Sequence, residues 1–144
     1  MFKKVCIIGC GLIGSSIARG IKKNKLATKL VSSNRSNSTN KKVIRLKIVN
    51  EASSDTKKIV KGSDLIIIAS PLSSYKNIIL KIKSSLKNGA ILTDVGSVKK
   101  NVISLIEKNI PKNVSWISSH PIAGTEDSGP ESGFPELFKN RWFL

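Results

Sequence analysis

The sequence predicts an α/β fold, a doubly wound and mostly parallel sheet with helices on its faces. Three observations carry this. Short continuous apolar runs, at Val5–Ile8, after Asp64 as far as Ala69, and at Ala90–Thr93, read as strands buried on both faces. Between them lie segments whose apolar residues recur at helical spacing. A cluster of glycines sits where the first strand hands over to the first helix. Taken in order, Val5–Ile8 ends at Gly9, and Ile13, Ile17 and Ile21 then mark one face of a helix to about Lys23. Lys29–Ser33 is a second, shorter strand. Ser36–Lys47 reads as a polar helix with Val43, Ile44, Leu46 and Ile48 at its apolar positions, and Ile48-Val49 as a minor strand. Asp64–Ala69 is the strongest strand, stopped by Ser70-Pro71. Tyr75, Ile78, Ile79, Ile82 and Leu86 follow at helical spacing until Asn88-Gly89. The strand at Ala90–Thr93 runs to Asp94, a helix covers Val98–Asn109, and Val114–Ile117 is the next strand. His120–Gly133 lacks periodicity and reads as a loop, and Phe134–Phe138 as a short helix. Arg141-Trp142-Phe143-Leu144 then opens an apolar segment that stops, leaving an unpaired edge. The expectation is one domain, residues 1–144, truncated at its C-terminal end.

Composition narrows the function. The chain of 144 residues carries a formal charge of +16 and is 40% hydrophobic, which argues against wholesale disorder. No apolar run approaches the roughly 18 to 20 residues that span a bilayer, and the apolar stretch after Lys4 breaks at Gly9 with no cleavage site of the signal-peptide kind. Cys6 and Cys10 are too few and too close for a disulfide framework, so a reduced, cytoplasmic setting is expected, with no metal and no membrane. The basic excess is 21 lysines to four arginines, and Tyr75 is the one aromatic residue between Lys3 and Lys112. Readout and stacking on nucleic acid favour arginine and aromatic residues. A solvated lysine surface is therefore expected rather than a nucleic-acid partner.

The candidate chemistry lies at the carboxyl ends of the strands, where ligands bind in such folds. Gly9-Cys10-Gly11-Leu12-Ile13-Gly14 has the G-x-G-x-x-G spacing between a buried strand and an amphipathic helix, as in Rossmann-like nucleotide domains. Gly9 allows the turn, Gly11 a close approach of backbone to a pyrophosphate, and Gly14 close packing of helix on strand. The helix amides then hold the phosphates; the bland alternative is a tight turn without a ligand. About 20 residues on, where an acidic group would grip the ribose of NAD, stand Asn34, Arg35 and Ser36. Asn34 does not repel a 2′-phosphate and Arg35 can pair with one, so NAD and NADP both stay open, as does an Arg35 that merely stacks or faces water. Ser70 and Pro71 are placed to flank the nicotinamide ribose, or they simply end a strand before Ser73 or Ser74 caps a helix. Ser97, in Asp94-Val95-Gly96-Ser97-Val98-Lys99, is either a helix cap or a group beside the cofactor cleft. His120 is the sole histidine. Composition leaves it open between structure and catalysis, but its neighbours Gly124, Thr125 and Glu126 suit a polar pocket better than a core. Cys6 reads as core, and Cys10 as a small filler of the glycine loop.

Together these stretches resemble the prephenate dehydrogenase family, with its arogenate and cyclohexadienyl members. The resemblance rests on Gly9–Ser16, Asp94–Lys99 and His120–Glu126, with Ser128-Gly129-Pro130 and Asn140-Arg141-Trp142 matching the cyclohexadienyl subgroup. It implies NAD(P)-dependent oxidative decarboxylation of prephenate or arogenate in tyrosine biosynthesis. It casts His120 as the acceptor of the ring hydroxyl proton, which needs a neutral imidazole. Ser97 becomes a hydrogen-bond partner of that histidine and of the substrate, and Gly124, Thr125 and Glu126 shape the substrate site. It also implies a helical dimerisation domain beyond the present chain, supplying a substrate-binding arginine, so that a homodimer is expected only with it. The rivals are another Rossmann-type hydroxyacid or imino-acid dehydrogenase, and a nucleotide-binding module without catalysis.

Overall fold

The computed structural model describes residues 1–97, 100–142 and 144. Six strands form one sheet: β1 (Phe2–Ile8), β2 (Ala27–Ser33), β3 (Glu51–Ser53), β4 (Leu65–Ile68), β5 (Ile91–Asp94) and β6 (Ser115–Ile117). Their order is β3-β2-β1-β4-β5-β6 and every neighbouring pair is parallel. The chain reverses direction across the sheet between β1 and β4, which opens the crevice where ligands of such folds bind. Among the described residues five α-helices connect the strands: α1 (Leu12–Lys23), α2 (Asn37–Arg45), α3 (Thr56–Val60), α4 (Tyr75–Ile82) and α5 (Lys100–Asn109).

Alternation along β1 sorts the core into two layers. Val5 and Ile7 face α1 and α2, where they meet Ala18, Leu30, Val43 and Ile67. Cys6 and Ile8 face the opposite way, against Ile59 of α3, Ile79 and Ile82 of α4 and Ile106 of α5. Burying each such aliphatic side chain contributes roughly 1.5–3 kcal/mol, which explains why the central strands are apolar on both faces. At the lower end of the sheet, Asp64 accepts the amides of Lys3 and Lys4 at 2.7 and 3.0 Å and pairs with Lys87. These contacts hold its carboxyl down at about 2, the Lys87 hydrogen bond contributing most.

The structure corrects several expectations. Ile48 and Val49 are buried core, not a strand; pairing begins at Glu51, opposite Val31. The apolar signal there reported burial, and Asn50 binds the backbone of Leu30 through both its amide and its side chain just before the ladder starts. The helix at Thr56–Val60 was not expected; Asp55 caps it by accepting the Lys58 amide. Phe134–Phe138 forms successive turns closed by Leu137 to Phe134 and Lys139 to Glu136 bonds rather than a helix. Pro135 disfavours helical geometry in the residue before it. The end of the chain is paired, not bare: His120 and Leu144 exchange backbone hydrogen bonds, and the Ile122 amide donates to the Trp142 carbonyl. The start of the expected helix at Val98, together with Lys99 and Phe143, lies outside the described residues. Among the described residues, no helix is long and apolar enough to cross a membrane.

Candidate functional site

The loops leaving β1, β4, β5 and β6 stand side by side at the carboxyl edge of the sheet, because those strands are consecutive neighbours. The glycine loop is the most tightly determined of them. Gly9 has φ +96°, and a Cβ there would lie 2.6 Å from Ser70 Oγ and 2.7 Å from the Ala69 carbonyl oxygen. A Cβ on Gly14 would sit 1.9 Å from the Gly9 carbonyl oxygen. Around Gly11, by contrast, nothing lies within 4 Å of the Cβ position. Two of the glycines are therefore demanded by the protein's own packing, and the middle one faces free space where a ligand's phosphates can come against the backbone. Gly11 caps α1 without a side-chain hydrogen bond, and the first turn of α1 carries no acid, so its positive end is not neutralised locally. Leu12 and Ile13 lead that turn, half-buried.

The end of β2 braces this loop. The Asn34 side chain is buried and turned inward: its Oδ1 accepts the Cys10 amide at 2.7 Å, and its Nδ2 donates to Ser32 Oγ and Asn40 Oδ1 at 3.1 and 2.9 Å. Arg35 and Ser36 are exposed beside it, and Ser36 caps α2 through the Thr39 amide. Burial pushes the Cys10 thiol up to about 11 and the Cys6 thiol up to about 12, so both are neutral fillers rather than nucleophiles. Ser70 donates to the Ile8 carbonyl at 3.0 Å and so ties the β4 loop to the glycine loop, with Pro71 exposed next to it.

The far side of the cleft is looser. Ser97 is exposed after β5, and His120 is half-buried on the loop that leaves β6 at Ile117. Among the described residues no hydrogen bond joins their side chains. Gly124, Thr125 and Glu126 are exposed, and the Asp127 amide closes a small local turn by donating to Thr125 Oγ1. Beyond them the chain returns to α1: Pro130 accepts from Arg19, the Phe134 amide donates to Ser16 Oγ, and Glu136 pairs with Lys23. The sequence reading missed this strap, the inward turn of Asn34 and the role of Tyr75, whose hydroxyl reaches Asp94 at 3.1 Å. In the sequence Asp94 stands out only as the first residue of the stretch Asp94–Lys99 that holds Ser97. An apolar groove of about 260 Å³ runs under the site between α1 and β4–β5, lined by Ile17, Ile21, Ile67, Val95 and Phe138 among others. The larger hollow, about 980 Å³ and rich in lysine, lies at the opposite edge of the sheet, before β4 and β5.

Residues 17–144 match the family model described as prephenate dehydrogenase, nucleotide-binding domain. The chain belongs to this family. The match begins inside α1, so the reading of the glycine loop stands on its own geometry. The chain is 34% identical over 140 residues to a cyclohexadienyl dehydrogenase of Zymomonas mobilis, covering 97% of this chain and 47% of the relative. A prephenate dehydrogenase of Lactococcus lactis is 33% identical over 144 residues, covering 99% of this chain and 40% of the relative. Among solved structures, prephenate dehydrogenase from A. aeolicus in complex with hydroxyphenyl propionate and NAD+ superposes with a TM-score of 0.89 at 26% identity, covering 99% of this chain and 50% of that one. This member of the prephenate dehydrogenase family thus spans about half the length of the relatives it matches.

Proposed function

We propose that this chain is the nucleotide-binding half of an NAD(P)-dependent dehydrogenase that oxidatively decarboxylates prephenate or arogenate. The observation that carries the reading is the open backbone at Gly11, facing free space at the unneutralised start of α1, on the same sheet edge as Ser97 and His120. A dinucleotide bound along that edge would be held at its pyrophosphate by the Gly9–Gly14 turn and at its nicotinamide end by Ser70, Pro71 and Ser97. When bound, NAD(P)+ supplies the hydride acceptor. His120, as neutral imidazole, takes the proton of the ring hydroxyl while hydride leaves the carbon that bears it, and Ser97 orients that hydroxyl. Loss of carbon dioxide then makes the ring aromatic, so the protein's work is positioning and proton removal. Thr125 and Glu126 are exposed and free to meet the substrate. At the ribose end, Asn34 is committed to the glycine loop and carries no charge, while Arg35 is exposed; NADP is therefore accepted beside NAD.

The test is a titration of this chain with NAD and NADP side by side, followed by addition of prephenate or of arogenate to the chain joined to the second half that its relatives carry, and measurement of the reduced nicotinamide formed. Saturable binding with substrate-dependent reduction is expected. His120→Asn should lower turnover by about 10²–10⁴-fold, the usual worth of a general base, and spare nucleotide affinity. Retained turnover in that variant would remove His120 from the role. Binding without turnover on either substrate would leave a nucleotide-binding module.

A further inference from the structure

Asp94 ends β5 with no exposed surface. A carboxylate removed from water survives only where donors are built around it, and here they come from separate elements. Tyr75 of α4 donates its hydroxyl to Oδ2 at 3.1 Å, the Gly96 amide donates to the same oxygen at 2.9 Å, and the Ser119 amide reaches Oδ1 at 3.4 Å. The Ser119 hydroxyl also donates to the Asp94 carbonyl and lies 3.3 Å from Thr93 Oγ1. Gly96 immediately precedes Ser97, and Ser119 immediately precedes His120. The cluster has no slack: a Cβ on Gly96 would lie 2.9 Å from Asp94 Oδ2 and 3.0 Å from Tyr75 Oη. Burial and proximity to Asp94 push the Tyr75 hydroxyl's ionisation up, so the phenol stays a donor.

We infer that Asp94 is a positioning residue for the reaction: its buried carboxylate, braced by Tyr75, grips the backbone beside Ser97 and beside His120 and so fixes how the two face one substrate hydroxyl. Asp94 has no exposed surface and acts through these neighbours. The inference rests on the reading of Ser97 and His120 under Proposed function. Its energetic logic is that a misplacement of about 1 Å in a reacting group costs on the order of 10²-fold in rate, while the two loops share no hydrogen bond between those side chains among the described residues.

The experiment compares Asp94→Asn with Ile79→Ala, a truncation of the α4 core chosen as a control for lost stability. Asp94→Asn preserves shape but turns one acceptor into a donor facing an amide or the phenol. We expect kcat to fall about 100-fold with nucleotide affinity retained and with KM changed far less than kcat; Ile79→Ala should lower the thermal midpoint and leave kcat alone. Because His120 is the sole histidine of this chain, its ring Cε1 proton gives an unambiguous magnetic resonance signal. That signal should move in Asp94→Asn and not in Ile79→Ala, a readout that holds even if neither prephenate nor arogenate is turned over. An unmoved signal, or a kcat loss no greater than that of the control, overturns the inference. Should Asp94→Asn fail to fold, Tyr75→Phe removes the phenol's hydrogen bond to Oδ2 and keeps the ring, and the same two readouts decide in the same way.

Discussion

On the β1–α1–β2 side of the cleft, close neighbours fix the residues around the open Gly11: Gly14 against the Gly9 carbonyl, Gly9 against Ser70, and the Cys10 amide against Asn34. On the β5–β6 side, Asp94 is equally confined, but the groups expected to do chemistry, Ser97, His120, Thr125 and Glu126, sit on half-buried or exposed loops. The difference follows from what each side recognises. A pyrophosphate is met by backbone amides, whose positions must be set by close packing before the ligand arrives. A reacting ring must enter, lose a proton and leave, so its side chains project from loops over a rigid floor.

Substitutions can break this contrast. The largest effect is expected for Gly14→Ala, since its methyl would lie 1.9 Å from a backbone oxygen that cannot move aside without deforming the turn. Stability measured by urea unfolding should fall by about 3 kcal/mol or more, with NAD binding lost in a titration. Normal binding would show that the loop relaxes easily. Asn34→Ala comes next: it takes the buried acceptor from the Cys10 amide and the donor from Asn40 Oδ1, a cost of about 1–3 kcal/mol that should appear in unfolding and as weaker nucleotide affinity. If stability falls but affinity does not, the brace serves the fold and not the ligand. The smallest effect belongs to Glu126→Ala on the open side. Its exposure predicts a stability change within about 0.5 kcal/mol and unchanged NAD affinity. A loss as large as that of Asn34→Ala would show that this loop is locked as tightly as the glycine turn, and the contrast would fail.

Much of this was legible in the chain. Continuous apolar runs located β1, β4 and β5 because parallel strands are buried on both faces, and the glycine spacing located the turn because only glycine fits it. The short edge strand β3 was not: its three residues are exposed or half-buried and owe their conformation to pairing with β2, while the more apolar Ile48 and Val49 serve the core. The same holds for Phe134–Phe138, whose apolar spacing suggested a helix although the segment is a strap tied to α1. At the site, the sequence named His120 and Ser97 but read Asn34 as a group facing the ribose.

The sequence by itself determined the layered α/β architecture, the glycine turn and the family motifs, since these rest on periodicity and on the conformational limits of single residues. Only the tertiary structure decided that Asn34 turns inward to hold Cys10, that Tyr75 and Asp94 meet beneath the two loops, and that Trp142 and Leu144 pair back onto His120 and Ile122. The physical reason is shared: each is a hydrogen bond between residues 19 to 24 positions apart or joined only by the return of a long loop. Which donor satisfies which buried acceptor is settled by what the folded sheet brings within reach.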